Sequence, residues 1–445
     1  MRRILTLLMI IAVSGAAAQE RFDYVFRRNP WNGGPNAAGI RQDSLSRSYA
    51  EIYFTKETGG MTGHSSSDDS WNAGARTESV RHLKKVSFAG GFGYDYFDGR
   101  NMCGSMFTQP GYYPVDILEF TPGRKIREDY SFMGGVSAVL GRRWTGGLRV
   151  EFEAQNYAKR KDLRHKNTRL DFEFSPGVMY HAGRFAAGAV YIVGTNSEKL
   201  EAEEIGSTPE SYQAFFDRGL GYGSLQLWES SDMHLTTSGV TGFPVRENTQ
   251  GAGVQLQYGP VYAAAAYRNR QGETGERGMI WHEFGTHQVT ANAALSLGNL
   301  QRRHFVRLHL DWRSLRTDEN IITTETVNGV TKPYIHGSTP IFGRKGLDLG
   351  GEYEFANRYT DLRAGVAYSQ LNRESTLMNP YVREDGYFPK NATEYLERDI
   401  TLCKGEHKDK MIHKKDMAYK IFKRNGFLWG GDWEDCKDYQ HFYMK

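Results

Sequence analysis

The sequence predicts a mainly β protein: an antiparallel β-barrel of the outer-membrane type, with about twelve strands and no obvious closing strand, so that an incomplete barrel also fits, followed by a small C-terminal α+β segment. Three observations carry this prediction. Apolar and charged residues alternate with period two over most of the chain, Gly and aromatic residues are abundant, and the first eighteen residues have the layout of an export signal.

Composition sets the limits. A disordered chain would not carry 24 Phe and 26 Tyr in 445 residues. A helical membrane protein would show long apolar runs, and none follows residue 18. The mean hydropathy of −0.60 suits a barrel whose lumen is polar. The formal charge of +4 is spread along the chain and carries no nucleic-acid signal. Cys103, Cys403 and Cys436 are odd in number and scattered, so neither a disulfide framework nor a Cys-rich zinc site is implied.

The opening "MRRILTLLMIIAVSGAAAQE" has two arginines, an apolar stretch from Ile4 to Val13 and a small-residue run from Gly15 to Ala18. This is the three-part pattern of a secretory signal, with cleavage expected after Ala18. The barrel is expected over residues 19–375. Within it "LRVEFEAQNY" sets Leu148, Val150, Phe152 and Ala154 against Arg149, Glu151, Glu153 and Gln155. "TRLDFEF" repeats the scheme, with Leu170, Phe172 and Phe174 opposing Arg169, Asp171 and Glu173. "VQLQY", "FVRLHLDW" and "LDLGGEYEF" follow it too. Such alternation needs one apolar and one polar environment for the two faces of a sheet. A soluble sandwich would turn the apolar face inward and a membrane barrel would turn it to lipid; strands of about 9–12 residues favour the barrel. The less regular stretch from Ser197 to Gln250 is expected to be an extracellular loop or loop pair. Lumen charges such as Arg149, Glu151, Arg307 and Asp311 would either select a solute or form a satisfied network.

Aromatic alternating strands and segments such as "GGVSAVLGRRWTGGLRVEFE" resemble the uncharacterised outer-membrane β-barrel proteins of Bacteroides-type bacteria, over roughly residues 20–375. That resemblance implies outer-membrane lipid as a partner and supplies no substrate.

Composition changes near Thr376, and residues 376–445 form a separate segment. In "KKDMAYKIFKRNG" Met417, Ala418, Ile421 and Phe422 lie at helical spacing, lysines occupy the other face, and Gly426 stands where a C-terminal cap is expected. Then comes "FLWGGDWEDCKDYQHF", in which Asp438 precedes His441 by three residues. By spacing alone such a pair is an ordinary surface pair more often than a site. Taken in order, "NPYVREDGYFP", "MIHKKDMAYKIFKRNGFLWGGDW" and "KDYQHF" resemble the C-terminal half of the zinc D-alanyl-D-alanine carboxypeptidase and L-alanyl-D-glutamate endopeptidase family, which cuts peptidoglycan peptides. The resemblance implies zinc as cofactor, His441 as a metal ligand, Asp438 as the catalytic general base, and Trp429, Gly430, Gly431, Asp432 and Trp433 as the wall of the substrate cleft. It departs from the family at Tyr443, where Glu is usual, and lacks the upstream His-x-x-Gly-x-Ala-x-Asp segment that supplies the other two ligands.

No substitute for that segment is found. His304 and Asp311 have its spacing, but in an alternating strand an odd offset sends them to opposite faces. In "HEFGTH" His282 and His287 are five apart, where the helical zinc-protease motif needs four. His407 and His413 sit among lysines, which disfavours a cation. A catalytic zinc takes three protein ligands, and His441 alone would not hold it. Two functions are therefore carried forward. One is an outer-membrane barrel of channel or scaffold role with a peptidase remnant. The other is a membrane-tethered zinc peptidase acting on peptidoglycan stem peptides, its C-terminal segment periplasmic. The joint near Thr376 also fits a recombined reading frame.

Overall fold

The period-two segments become strands and join into one antiparallel sheet. The computed structural model describes residues 29–376 apart from 43–44, 61–62, 64, 162, 204–212, 222, 228–243, 277–278, 299–301, 328–329 and 358, together with 414, 417–425, 427–429 and 442–443. The wall consists of β1 (Arg47–Thr58), β2 (Asp69–His82), β3 (Val86–Ser105), β4 (Asp116–Val139), β5 (Trp144–Lys159), β6 (Arg164–Ala182) and β7 (Phe185–Glu203). It continues through β10 (Val245–Tyr258), β11 (Val261–Glu276), β12 (Met279–Gly298), β13 (Arg302–Val327), β14 (Val330–Asn357) and β15 (Asp361–Ser375). Between β7 and β10 the chain makes a hairpin of β8 (Gln213–Asp217) and β9 (Gly223–Leu227), which hangs from the start of β4. The wall thus has thirteen strands among the described residues, where about twelve were expected. The expected loop over 197–250 shrinks to 204–244, because β7 and β10 continue their ladder past Ser197 and before Gln250.

The two ends of the sheet differ. At one end the connections 83–85, 140–143, 183–184, 259–260, 299–301 and 358–360 are two to four residues long. Two of them turn on Gly183 and Gly259, whose positive φ angles suit tight hairpins. At the other end the longer segments 59–68, 106–115 and 204–244 alternate with the short connections 160–163, 277–278 and 328–329. Both β1 and β15 run from this turn end to the loop end, and among the described residues neither pairs with a second strand.

Contacts across the interior fix the curl of the sheet. In the 106–115 segment, Thr108 N donates to Glu198 of β7 at 2.8 Å, and the Tyr112 hydroxyl donates to Glu247 of β10 at 3.0 Å. Arg344 of β14 donates to the Gly111 carbonyl at 2.8 Å. A segment that reaches β7, β10 and β14 together lies inside a rolled wall.

The exposed face is the apolar one. Phe92, Phe132, Phe152 and Phe172 are direct register partners across β3 to β6 and form a continuous outward row, each at least 38% exposed. Leu148, Leu170, Leu308, Leu349 and Tyr353 extend this outer belt, while Gln155, Arg169 and Glu354 on the other face are buried. A sandwich would do the reverse. Phe152→Arg is accordingly expected to lower stability by about 2–4 kcal/mol, the cost of a cation on the lipid face near mid-membrane. Urea unfolding of the refolded protein in detergent measures it, and a change within about 0.5 kcal/mol, as for an ordinary surface site, would count against a lipid belt.

In the C-terminal segment the expected helix is present as α1 (Met417–Arg424), followed by a two-residue ladder of β16 (Leu428–Trp429) and β17 (Phe442–Tyr443). Its end is tied by Asn425 N to the Ile421 carbonyl and by Phe427 N to the Phe422 carbonyl; Gly426 lies outside the described residues.

Candidate functional site

Glycine on three neighbouring strands opens a groove inside the turn end. A Cβ on Gly147 of β5 would stand 2.0 Å from Ala38 N, one on Gly177 of β6 would stand 2.2 Å from Asn36 Oδ1, and one on Gly188 of β7 would stand 2.9 Å from Asn36 Nδ2. Residues Pro30–Gly33 and Ala37–Gln42, two 3-10 turns, lie against this wall, with Trp31, Asn36, Ala37 and Ala38 buried. Asn36 Nδ2 donates to the Val178 and Ala189 carbonyls at 3.2 and 3.4 Å, and Trp31 Nε1 donates to Gln257 of β10 at 2.5 Å. Arg41 reaches the β2–β3 turn, donating to Ser87 Oγ at 3.1 Å. This segment is a plug.

A second closure fills the loop end. Met106, Phe107, Tyr113 and Val115 from the inward segment meet Ala214 and Phe216 of β8, and all pack against Val245, Phe284, Leu315, Ile341 and Phe342 of the wall. Such an apolar stopper inside a polar lumen needs its polar neighbours paired. Below it Glu119 lies between two buried lysines, 3.1 Å from Lys125 and 2.5 Å from Lys159. Lys125 also donates to the Ser105 carbonyl at 2.9 Å. Beside the stopper, Asp116 of β4 stands in register with Asp217 of β8. Burial pushes the Asp116 carboxyl up to about 7, against the lowering effect of hydrogen bonds from Ser105 Oγ and Ile117 N. Burial raises Asp217 as well.

Between plug and stopper lies a chamber lined by charged and apolar side chains together. Its larger part, about 1,070 Å³, runs from Pro30 and Pro35 of the plug past Arg149, Glu173, Arg268 and Arg307. A smaller part of about 530 Å³ shares Arg149, Glu151 and Glu173 with it and reaches Tyr112 under the stopper. The lumen charges are paired: Arg149 with Glu151 at 2.5 Å, Arg268 with Glu173 at 3.3 Å, Arg307 with Glu352 and Glu354, and Asp311 with Arg313 at 2.8 Å. Arg149, Glu151, Arg307 and Asp311 are thus all ion-paired, while among the described residues Arg268 Nε and Gln255 Oε1 on the chamber wall are buried without a hydrogen bond.

The histidine decoys separate as strand parity requires. His282 is buried on the inner face against Thr274, while His287 on the outer face contacts the Tyr267 hydroxyl at 2.7 Å. Asp311 faces inward with Gln288, and His304 meets the Tyr353 hydroxyl outside. Neither pair converges on one point.

Of the residues implied by the peptidase resemblance, only Trp429 is described. It is buried, edge-on to Tyr419 with centroids 5.1 Å apart, and lies beneath the Lys414 ammonium. Its partner in the small ladder is Phe442, the residue after His441. Gly430, Gly431, Asp432, Trp433, Asp438 and His441 lie outside the described residues. Among the described residues no group of three or more His, Cys, Asp or Glu could hold a metal ion. From residue 366 onward the described residues include one such side chain, Glu374.

Sequence reading missed the plug, the stopper and the Glu119 cluster. The signal for the first two is composition out of place: "NPWNGGPNAAGIRQ" and "MFTQPGYYPV" carry Trp, Phe and Tyr among turn residues, where an exposed linker or loop would be polar.

The model of a family of unknown function (DUF6850) matches residues 37–387, and that of a D-alanyl-D-alanine carboxypeptidase family matches residues 366–444. The matches overlap over 366–387, and the structure places residues 366–375 of that overlap in β15. No curated protein matches the chain. Among solved structures it is similar to the ferric preacinetobactin receptor BauA from Acinetobacter baumannii, at 7% identity and a TM-score of 0.33, covering 75% of this chain and 63% of that one. It is similar also to the ferric yersiniabactin uptake receptor FyuA from Yersinia pestis, at 9% identity and a TM-score of 0.35, covering 74% and 57%. The alcaligin outer membrane receptor FauA from Bordetella pertussis matches at 10% identity and a TM-score of 0.33, covering 73% and 55%. The chain thus spans 55–63% of the length of these three proteins.

Proposed function

The chain belongs to the family of unknown function (DUF6850), and from that premise we propose that it is an outer-membrane β-barrel whose lumen holds a chamber for a polar solute, with a peptidase-like segment attached behind β15. The observation that carries this reading is the reversal of the two sheet faces. Large apolar side chains form the exposed outer belt, and ion pairs line the interior between plug and stopper. Only a lipid surround makes such a reversal favourable. The short-turn end then faces the periplasm and the long-loop end the exterior, following the usual asymmetry of such barrels. Paired charges and carboxamides around the chamber suit a hydrated or zwitterionic solute better than an apolar one.

Expression with fractionation tests the reading. The expected result is a heat-modifiable β protein in the outer-membrane fraction, extracted by detergent; recovery as a freely soluble periplasmic protein would overturn it.

The peptidase reading is favoured by the carboxypeptidase family match over residues 366–444. In that family's terms Asp438 would take a proton from a zinc-bound water and His441 would hold the ion; the wall would be Trp429 with Gly430, Gly431, Asp432 and Trp433. Zinc supplies Lewis acidity when bound, and that requires three protein ligands. With one recognisable ligand, we infer that this segment is a remnant without hydrolytic activity. The purified protein is expected to bind no zinc tightly. One tightly held zinc that disappears in His441→Ala would reverse the inference and bring chelator-sensitive cleavage of peptidoglycan stem peptides to the fore. A periplasmic position for the segment meets a topological obstacle, because β15 delivers Ser375 to the loop end, opposite Phe342.

A further inference from the structure

Three features isolate the junction between the stopper and the wall. The β8–β9 hairpin is attached to the wall through a four-residue ladder with β4, Asp116 to Glu119 against Ala214 to Asp217. The first rung of that ladder is Asp116 against Asp217, and neither carboxylate has a cation within ion-pair distance in the described structure. Each is held by neutral donors instead: Asp116 by Ser105 Oγ at 2.8 Å and Ile117 N at 2.7 Å, Asp217 by Gly219 N at 2.7 Å and Gly221 N at 3.1 Å.

We propose that Asp116 and Asp217 make the stopper a proton-sensitive closure, docked when the pair is protonated and loosened when both ionise. The proposal rests on the barrel reading, since it treats the stopper as the outer closure of the chamber.

The surrounding groups do not cancel the effect. Glu198 of β7 adds negative charge to Asp116 and is itself bonded to Thr108 and Asn167. Lys125 of β4 points to the Ser105 carbonyl and Glu119, as Lys159 of β5 points to Glu119. Tyr157 of β5 is neutral in this range. Arg218, next to Asp217, is 3.1 Å from Glu319 of β13, which also faces His282 of β12. Arg344 of β14 donates to the carbonyls of Gly111 and Tyr112.

The sign follows from linkage. A carboxyl that titrates near 7 when docked and near 4 when exposed favours docking fully below pH 4, and this contribution is lost as pH rises through 7. For Asp116 alone, the docking equilibrium falls about thirtyfold between pH 5.5 and 8.5.

The test uses the full chain refolded in detergent, with Cys103, Cys403 and Cys436 changed to Ser and Met106→Cys as a reporter, since Met106 is fully buried in the stopper. Maleimide labelling is followed at pH 5.5 and 8.5, normalised to a Tyr359→Cys reference on the exposed β14–β15 turn. The expected result is labelling that rises about thirtyfold over this range and stays slow at both pH values in Asp116→Asn with Asp217→Asn. Equal labelling at both pH values, or a rise that survives the double Asn variant, would overturn the proposal. Hydrogen exchange over residues 106–117 and 213–217, without the reporter, reads the same opening if Met106→Cys disturbs the stopper. Heat-modifiable migration of the same sample separates the two readings: if it persists while the pH effect is missing, the switch alone fails, and if it is missing, the barrel reading fails too.

Discussion

Glu119→Ala is expected to destabilise the folded barrel by about 3–5 kcal/mol, the usual cost of leaving a buried ion without its partner. Two ammonium groups depend on this one carboxylate. Lys125 and Lys159 have side chains with no exposure, and among the described residues each takes its counter-charge from Glu119. After the change Lys125 keeps the Ser105 carbonyl and Lys159 the Thr121 carbonyl, which are dipoles rather than charges. Backbone order is also lost, because Glu119 accepts a hydrogen bond from Thr121 N at 3.0 Å. Urea midpoints of the refolded protein in detergent measure the loss. Adding Lys159→Met should recover part of it by removing one stranded charge. A drop below about 1 kcal/mol, typical of an exposed ion pair, would mean that water reaches this cluster.

Gly147→Val is expected to expel the plug. The added Cβ would lie 2.0 Å from Ala38 N and 2.5 Å from the Ala37 carbonyl carbon, and both are backbone atoms with no rotamer to change. The 36–38 segment must move, which strains the bonds of Asn36 to Val178 and Ala189 and of Ser137 to the Ala38 carbonyl. Overpacking of this kind costs about 1–3 kcal/mol. The wall itself should persist, since Gly147 keeps its strand pairing with Ser137 and Gly177. Maleimide labelling of an Arg307→Cys reporter in the chamber, in a background with the three native cysteines changed to Ser, is the decisive measurement, because the stopper still closes the loop end. Faster labelling while β-sheet circular dichroism is retained fits the plug; unchanged labelling together with unchanged stability would show that the segment does not close the turn end.

The alternating segments made the wall legible. Leu148 to Gln155 and Leu170 to Phe174 each present the face that period two assigns, and the polar inner partners Gln155 and Arg169 are buried as alternation requires. Parity likewise separates His304 from Asp311, which the structure places on the outer and inner faces. The interior closures were not legible, for a physical reason. Residues 29–42 and 106–115 have no repeat because each pairs with several strands distant in sequence, so their burial comes from the roll of the sheet rather than local periodicity. Strand limits were read short for the same reason: β4 begins at Asp116, where its partner is a hairpin a hundred residues later. In the C-terminal segment the helix was visible in the spacing of Met417 and Ile421, but a site assembled from several segments has no period to read.

β1 and β15 run in the same direction, and this restricts how the rolled sheet can be sealed. An antiparallel ladder alternates narrow and wide pairs of bonds at right angles to the strands, a pattern that two edges pointing together cannot mesh into. Direct contact would give the one parallel ladder in an otherwise antiparallel wall, with slanted, evenly spaced bonds that are slightly weaker per residue. Keeping the antiparallel pattern requires a strand between them that travels from the loop end to the turn end. The seam is therefore the one junction in the wall that its own two edges cannot make as a hairpin ladder.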